Sequence, residues 1–405
     1  MFEFGKDLRR LFAQARESDD LGWVELIGAE LLKGEAARQS TDAGRVSCPR
    51  PFPAWMRASA LWREHGRRTG VGSSLERAAN AAADAAKAAR TSVDHAHAAV
   101  ERAEIALLRF DLCGGLEHLA EAEAVLAEVQ VPCCTAAGAH ARLRARQARL
   151  TDRESALMDA TALLDAALHD LGETPSPARD ELRMERAMLA LEAGVRRRDA
   201  RLLDQAGRDL QTLVAGAAPE ERPLTRARAL ALCGSGLRAL GALAADATAM
   251  EQGAAMFDAA ADQFTPDHSP LDWVAVQVLR IDEQPPVAVL SQAQALSAGG
   301  GLVLGALARE CRFAREAALA EANGDVQRLD ALDAALRKRL AKPAPSDGPL
   351  DWAADQIGLA HVALARERLT GSKPAAVGMM LVEAAATARE LGVGVLAARA
   401  DRLGG

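Results

Sequence analysis

One eight-residue pattern, P-L-D-W-x-A-x-Q, occurs twice in the chain, at 270–277 and at 349–356. The two copies are far apart in a chain that has only 5 tryptophans. We interpret the recurrence as the mark of a repeating unit, with two units from one copy to the next. This feature limits the fold to an array of similar elements and argues against one irregular domain.

The pattern is typical of a helix start that carries a packing residue. Proline suits the first helical position, where no N–H is needed, and an aspartate in the first turn meets free N–H groups. The tryptophan then begins the apolar face, with the glutamine one turn later on the same side. The residues with these roles are Pro270, Asp272, Trp273 and Gln277 in the first copy, and Pro349, Asp351, Trp352 and Gln356 in the second.

The helix caps expected for the two copies differ. Ser269 precedes the first copy and can cap its helix, giving the sequence S-x-x-D. In the second copy the cap falls to Asp347 or Gly348.

Helical periodicity extends over almost the whole chain, and no stretch alternates like a strand for long. Aromatic residues make up 3% of the sequence, with no tyrosine, which favours helices packed through alanine and leucine. The chain alternates between two kinds of helix. The second helix of each pair carries small residues at spacings of three and four. These second helices start at Leu75, Leu116, Leu157, Leu202, Met250, Arg328 and Ala376, with a degraded copy from Val289.

These recurrences predict an all-α protein of about eight antiparallel helix pairs. The steps from Leu75 to Leu116 and from Leu116 to Leu157 are equal, and later steps are somewhat longer. A repeat of about 40 residues is typical of an α-solenoid. Breaker residues divide the chain into an N-terminal helical cap (1–40), a linker (41–53), repeats one to five (54–267), a degenerate repeat or hinge (268–300) and C-terminal repeats (301–405).

The connection inside several pairs has its own signature. A glycine follows the first helix at Thr69-Gly70, Asn323-Gly324 and Thr370-Gly371. Glycine accepts the left-handed conformation that ends many helices, so a tight turn is predicted at each step.

The paired helices resemble tetratricopeptide (TPR) repeats. More narrowly, they resemble a bacterial variant in which PLDWA-x-x-Q opens the first helix, here called A, and T-G precedes the second, B. The resemblance covers 269–290 and 348–392, and more loosely 54–92. It implies a right-handed superhelix that acts as an adaptor and binds peptides or helices along its concave A-helix face. The missing tyrosine, the longer period and the prolines at 285–286 depart from the family pattern.

An arginine stripe is the main candidate for partner binding. The arginines fall at helical spacing on three successive A helices, where they suit bidentate pairing with an acidic segment or a terminal carboxylate. The stripe consists of Arg142, Arg146, Arg149, Arg153, Arg179, Arg183, Arg186 and Arg226. The alternative is a solvated face in an arginine-biased proteome, because only 6 of the 49 basic residues are lysines.

No pattern of catalytic, metal-binding or cofactor-binding residues stands out. His95 and His97 are two apart and point to different sides of a helix, and no CxxC or HExxH pattern accompanies them. The glycines at 299–301 follow no strand and lack the end of a phosphate loop, so an interrupted helix is predicted there. We therefore expect no cofactor, no metal and no enzymatic activity.

Charge and hydropathy limit the classes of partner and the cellular locations that we expect. The net charge of −7 argues against nucleic acid, and no apolar run reaches membrane-spanning length. The start of the chain does not resemble a signal peptide, and the 6 cysteines fit reduced thiols, so a cytoplasmic location is predicted. The expected function is a non-catalytic scaffold or adaptor for a protein or peptide. A self-assembling structural protein and, less favoured, an enzyme are the alternatives.

Overall fold

A computed structural model describes residues 21–131, 133–151, 153–174, 176–341, 348–371 and 376–404. These ranges contain 18 α-helices, two short 3-10 helices and no strand. The all-α class predicted from the periodicity is therefore confirmed. Residues 1–20 of the predicted N-terminal cap, and Asp347, lie outside the described residues.

The helices follow one another with short connections. Their bounds are α1 Ala29–Ala43, α2 Pro51–Thr69, α3 Gly72–Ala88, α4 Ser92–Cys113, α5 Leu116–Ala127, α6 Cys134–Arg149, α7 Glu154–Asp170, α8 Pro177–Arg197, α9 Ala200–Gly216, α10 Pro223–Ala244, α11 Ala247–Gln263, α12 Pro270–Leu279, α13 Val287–Ser297, α14 Leu302–Ala322, α15 Val326–Leu340, α16 Pro349–Thr370, α17 Val377–Glu390 and α18 Gly394–Gly404. The 3-10 helices are Gly22–Leu26 and Ile281–Glu283.

Consecutive helices pack against each other through small and branched apolar residues. From α2 to α11 they form hairpins, such as α2 with α3 and α10 with α11. One core cluster of the α10–α11 hairpin contains the buried residues Leu224, Ala227, Ala231, Phe257, Ala260 and Phe264, together with Val276 of α12. Alanine on one helix leaves room for leucine or phenylalanine on the next, so the helices approach closely without many aromatic residues.

The first helices of successive hairpins also contact one another and form a closed path. α2 contacts α4, and the contacts continue through α6, α8 and α10 to α12, which returns to α2. We call these six helices the ring. Beyond it α14 packs on α4, and the N–H of Gly115 donates to the carbonyl of Leu391, 2.8 Å away. The C-terminal helices thus pack back onto the second hairpin.

Two segments differ in detail from the sequence prediction. α1 continues to Ala43 and α2 begins at Pro51, so the connection is shorter than the predicted linker 41–53. In the degenerate unit α12 has only 10 residues and is followed by the 3-10 helix and the two prolines. The backbone at 299–301 then lies against residues 69–72, which brings this unit to the point where the ring closes.

The hairpin turns use the left-handed conformation that the sequence predicts. Gly70, Gly324 and Gly371 have φ angles of 71°, 63° and 69°. The turns after α8 and α10 place Arg198 and Ala245 at the same position, both with a φ of 54°. A residue with a Cβ is strained there, so these two turns keep the geometry without the favoured residue.

Candidate partner-binding face

Arg146 is an internal residue of the ring. Its side chain is only 4% exposed and donates to Asp111 of α4 at 3.0 and 2.6 Å and to Glu185 of α8 at 2.7 Å. Arg149 also donates to Glu185, whose side chain is 2% exposed. Burial raises the pKa of Glu185, but the guanidinium groups of Arg146, Arg149 and Arg142 outweigh burial and lower it. These two arginines therefore join three ring helices.

Arg142 is paired in the same way at the next position along α6. Its guanidinium lies 2.8 Å from the carboxylate of Glu104 on α4 and 3.0 Å from that of Glu181 on α8. Burial raises the pKa of Glu104 despite this neighbour. The alternating acids and bases leave no strong net charge between α4, α6 and α8.

The remaining stripe residues do not form one surface. Arg186 donates to Asp209 at 2.8 and 2.5 Å and also to Asp165, so it turns towards α9 and α7. Arg226 donates to the carbonyls of Val214 and Ala217 and caps the end of α9. The structure therefore brings Arg142, Arg146 and Arg149 together, but not these two.

Three stripe arginines have no carboxylate within ion-pair distance in the part of the chain that the structure describes. Arg153 is exposed, whereas Arg179 and Arg183 are half-buried. The Nε of Arg179 is buried without a hydrogen-bond partner. These are the arginines of the stripe that make no ion pair within the described residues.

Asp272 has a role that sequence reasoning missed. Its carboxylate accepts from Arg67 of α2 at 3.2 Å to each oxygen, and from Arg228 of α10 at 3.1 and 2.9 Å. The hydroxyl of Ser269 donates to the same carboxylate at 2.5 Å, so it does not cap α12 as predicted. Burial raises the pKa of Asp272, but Arg228 and Arg67 outweigh it and hold the pKa below the ordinary value.

The second copy of the pattern shows a related contact. Asp351, in the first turn of α16, lies 2.9 Å from the guanidinium of Arg309 on α14. In both copies the aspartate thus pairs with an arginine two helices earlier in the chain. The prolines Pro270 and Pro349 are the first residues of α12 and α16. The recurrence of the aspartate was a signal for this ion pair, because a helix start alone does not require a charged residue.

The other repeat markers lie at packing positions. Trp273 and Trp352 are half-buried and pack against the core that α12, α14, α16 and α17 share. Gln277 is buried and Gln356 is half-buried. These residues pack the two helices into the array.

A second buried carboxylate, Glu25, was also missed. It lies in the first 3-10 helix and accepts from Arg222 at 2.8 Å and from the N–H of Thr225 at 2.8 Å. The hydroxyl of Thr225 donates to it at 2.5 Å. Burial raises the pKa of Glu25, but Arg228, Thr225 and Arg222 together lower it. A lone glutamate in an apolar stretch, WVELI, gave no sequence signal for this contact.

Cys311 lies in a cluster of polar side chains that resembles the surroundings of a reactive thiol. The Sγ of Cys311 is 2.7 Å from a guanidinium nitrogen of Arg399, and Glu310 accepts from Arg399 and lies 3.0 Å from His361. Cys311 is fully buried, and burial raises the pKa of its thiol to about 12. The thiol therefore stays protonated at neutral pH and is a poor nucleophile.

Metal-ligand residues do not cluster within the described ranges, where no group of three or more His, Cys, Asp or Glu side chains has the arrangement to hold an ion. His95 is exposed and His97 half-buried, and all 6 cysteines are free. Among the helices of these ranges, none combines the length and the apolar character that a bilayer crossing needs.

Comparison with known proteins adds no family to this description. No protein-family model matches the chain, and the search of curated proteins found no relative. A functional proposal therefore depends on the contacts of the chain itself.

Proposed function

We propose that the chain is a non-catalytic scaffold or adaptor that binds a protein or peptide partner. In this proposal it is a cytoplasmic bacterial protein with a TPR-like, right-handed α-solenoid of about eight helix pairs, and the partner contacts the concave face of the A helices. Support comes from helices that pack in chain order, from the hairpin turns with left-handed glycines, and from the two PLDW helix starts.

The observation that carries the proposal is the side-by-side contact of the first helices of successive hairpins. Because α2, α4, α6, α8 and α10 each contact the next, one face of the array combines side chains from distant parts of the sequence. Ion pairs such as Arg146 with Asp111 and Glu185 hold these helices at fixed distances. A pre-ordered polar face of this kind loses little entropy when it binds an extended segment.

The arginines that we assign to an acidic segment are Arg179 and Arg183, because they lie on a ring helix and have no carboxylate within ion-pair distance among the described residues. Arg183 nevertheless lies close enough to Asp180 to attract its charge. Arg146, in contrast, stabilises the ring, so its replacement would confuse folding with binding. A charge-assisted hydrogen bond contributes about 1.5–3 kcal/mol when a partner is present.

The test is capture of a partner from the native cytosol, followed by titration of the purified pair. The variant is Arg179→Glu/Arg183→Glu, and the control is Arg208→Glu on α9, where Arg208 is exposed and pairs with Asp204 of the same helix. We expect the double variant to bind at least about tenfold more weakly and the control to bind normally. Equal binding by all three proteins would remove the two arginines from the site.

A self-assembling structural protein is the second candidate, and one observation favours it. The last two helices expose large apolar side chains, with Met379, Val382 and Val395 exposed by 62%, 69% and 48%. Exposed apolar patches often mark protein contacts. Sedimentation across a wide range of concentration would show a growing mass in this case, and Val382→Glu would prevent the growth.

A further inference from the structure

The ring closes through contacts between segments that are distant in the sequence, and these contacts differ in kind from those within hairpins. On one side lie the segment 21–28, α2 and the turn at 69–71. On the other side lie the starts of α10 and α12, the turn at 265–269 and the loop 297–301. We call the contacts between the two sides the latch.

The first part of the latch is the shared carboxylate of Asp272. It neutralises Arg67 from one side of the closure and Arg228 from the other, and the side chains of Asp272, Arg67 and Arg228 are 13%, 24% and 26% exposed. Glu64 pairs with Arg67 on α2 at 2.7 Å and balances the second positive charge. Loss of the Asp272 charge would leave two half-buried guanidinium groups facing each other across the closure.

The second part of the latch is the segment 21–28. Val24 and Ile27 are buried in the core of the first hairpin, and the fully buried Arg68 donates to both of their carbonyls, at 2.8 and 2.6 Å. The segment is therefore fixed to the first hairpin by apolar packing. It reaches the other side through polar groups, with Glu25 on Arg222 and Thr225.

Backbone hydrogen bonding extends this polar contact. The N–H of Ala29 donates to the carbonyl of Asp267 at 3.3 Å, and the Nε2 of His268 lies 2.9 Å from the carbonyl of Glu25. Each of these bonds depends on alignment and is lost when the two sides move apart by about 1 Å or more.

The third part of the latch is a close backbone approach. Gly300 has a φ of 141°, and a Cβ at this position would lie 1.9 Å from the carbonyl oxygen of Gly70. Only glycine fits there. The apolar contribution nearby is small, with Leu75, Leu112 and Leu271 as the buried members of one cluster.

We propose that the latch is a conformational switch, and that the ring opens between α2 and α12 while its hairpins stay folded. Opening breaks polar contacts, exposes one small apolar cluster and also separates α14 and residues 391–393 from α4 and the start of α5. Separating a hairpin exposes a continuous alanine and leucine core. Local opening follows the contacts with the least buried apolar surface. The proposal that the ring opens depends only on these contacts. The further proposal that opening admits a partner to the A-helix face rests on the proposed function.

Native cysteines provide the readout. Cys113 lies at the closure, with its Sγ 3.5 Å from the carbonyl of Gly300, and burial raises the pKa of its thiol. Cys233 is buried in a core that α8, α9 and α10 share, and Cys134 is exposed. Thiol labelling of the full chain, resolved by mass spectrometry for each cysteine, therefore separates ring opening at Cys113 from unfolding at Cys233, with Cys134 as the measure of reagent activity.

Three variants weaken the latch in different ways: Asp272→Asn, Glu25→Gln and Gly300→Ala. The matched control is Asp209→Asn, because Asp209 is similarly buried and is held by both ends of Arg186, but within the α8–α9 hairpin. We expect each latch variant to label about 10- to 100-fold faster at Cys113, with Cys233 unchanged. The control should leave labelling at Cys113 as in the wild type.

Two results would overturn the switch. Parallel acceleration at Cys113 and Cys233 would mean that the ring has no opening separate from unfolding, and unchanged labelling at Cys113 in all three variants would mean that the latch does not hold it. If Asp272→Asn fails to fold, Glu25→Gln and Gly300→Ala decide the matter. Because no partner takes part, either result leaves the proposed adaptor function to its own capture experiment.

Discussion

The α10–α11 hairpin and the latch hold the molecule together by opposite means. Between α10 and α11, Phe257 and Phe264 are at most 2% exposed and pack on alanines and leucines. Across the latch, two carboxylates and two arginines form the ion pairs, Asp272 with Arg67 and Glu25 with Arg222. Both regions join helices into one chain-long structure, but only the second requires precise distances between charged atoms.

Because the two regions differ in this way, the stability of the fold and the closure of the ring depend on different contacts. Apolar contacts tolerate small displacements, and their contribution changes little with pH. Buried ion pairs contribute little net stability against an apolar alternative, yet losing one partner is costly. We therefore expect the hairpins to set the free energy of unfolding, and the latch to decide whether the folded ring is open or closed.

The largest expected effect comes from the hairpin side of the comparison. Phe257→Ala removes a fully buried ring that contacts Gly234, so the free energy of unfolding should fall by about 3–5 kcal/mol. Urea unfolding followed by circular dichroism measures this change. Met158→Ala, at a side chain that is 64% exposed, is the control and should alter stability by less than about 0.5 kcal/mol. A small effect at Phe257 would mean that the hairpin core can collapse around the cavity.

A smaller effect is expected from pH, and it should appear at the latch first. The pKa of Asp272 is lowered in the closed ring and returns towards an ordinary value of about 3.9 on opening. The closed form thus binds fewer protons than the open form. The stabilisation of the closed form by Asp272 is therefore complete above the ordinary pKa of an aspartate and is lost as pH falls through the lowered pKa of Asp272. Glu25 shifts in the same direction.

Thiol exchange with an aromatic disulfide, which reacts in acid, measures this opening at Cys113. Labelling at Cys113 should be independent of pH between about 7 and 8, after correction for thiol ionisation. It should begin to accelerate below about pH 6.5, because burial lowers the pKa of His268 in the closed ring, and should accelerate further below about pH 4 before Cys233 responds. The groups facing Asp272 are Arg67, Glu64, Arg228, Ser269 and, from the preceding turn, His268. In Asp272→Asn the acid response should shrink to the parts due to Glu25 and His268, and an unchanged response would assign it to groups other than Asp272.

The sequence predicted the helices well because their signals are local. Periodicity, prolines at helix starts and glycines at turns each act within a few residues, and α12 and α16 begin at Pro270 and Pro349. The spacing of Arg142, Arg146 and Arg149 also placed them correctly on one helix, α6, with Arg153 just beyond it. Spacing along one helix could not predict the contacts of these side chains, because their partner Glu185 lies on another helix.

The ring closure could not be predicted because its partners are distant in sequence. Asp272 reads as a helix-start residue, and its second role depends on how far the array curves before α12 meets α2. Curvature comes from small angles summed over several hairpins. The contacts of Glu25 and of the glycines at 299–301 depend on the same accumulated curvature. The latch is therefore a property of the whole array.

The smallest expected effect concerns a single turn. Ala245 holds a φ of 54° at the end of α10, a conformation that a Cβ disfavours, whereas Gly70 takes this position in the first hairpin. Ala245→Gly should therefore raise the free energy of unfolding by about 0.5–1 kcal/mol.

Ala255→Gly, at an exposed position in the middle of α11, should lower the same quantity by about 1 kcal/mol. Urea unfolding of both variants gives the sign directly. Because Ala245 lies in a hairpin turn and away from the latch, labelling at Cys113 should not change in either variant. Faster labelling in Ala245→Gly would show that the hairpin turns and the ring closure are coupled, and that the two kinds of contact are not independent.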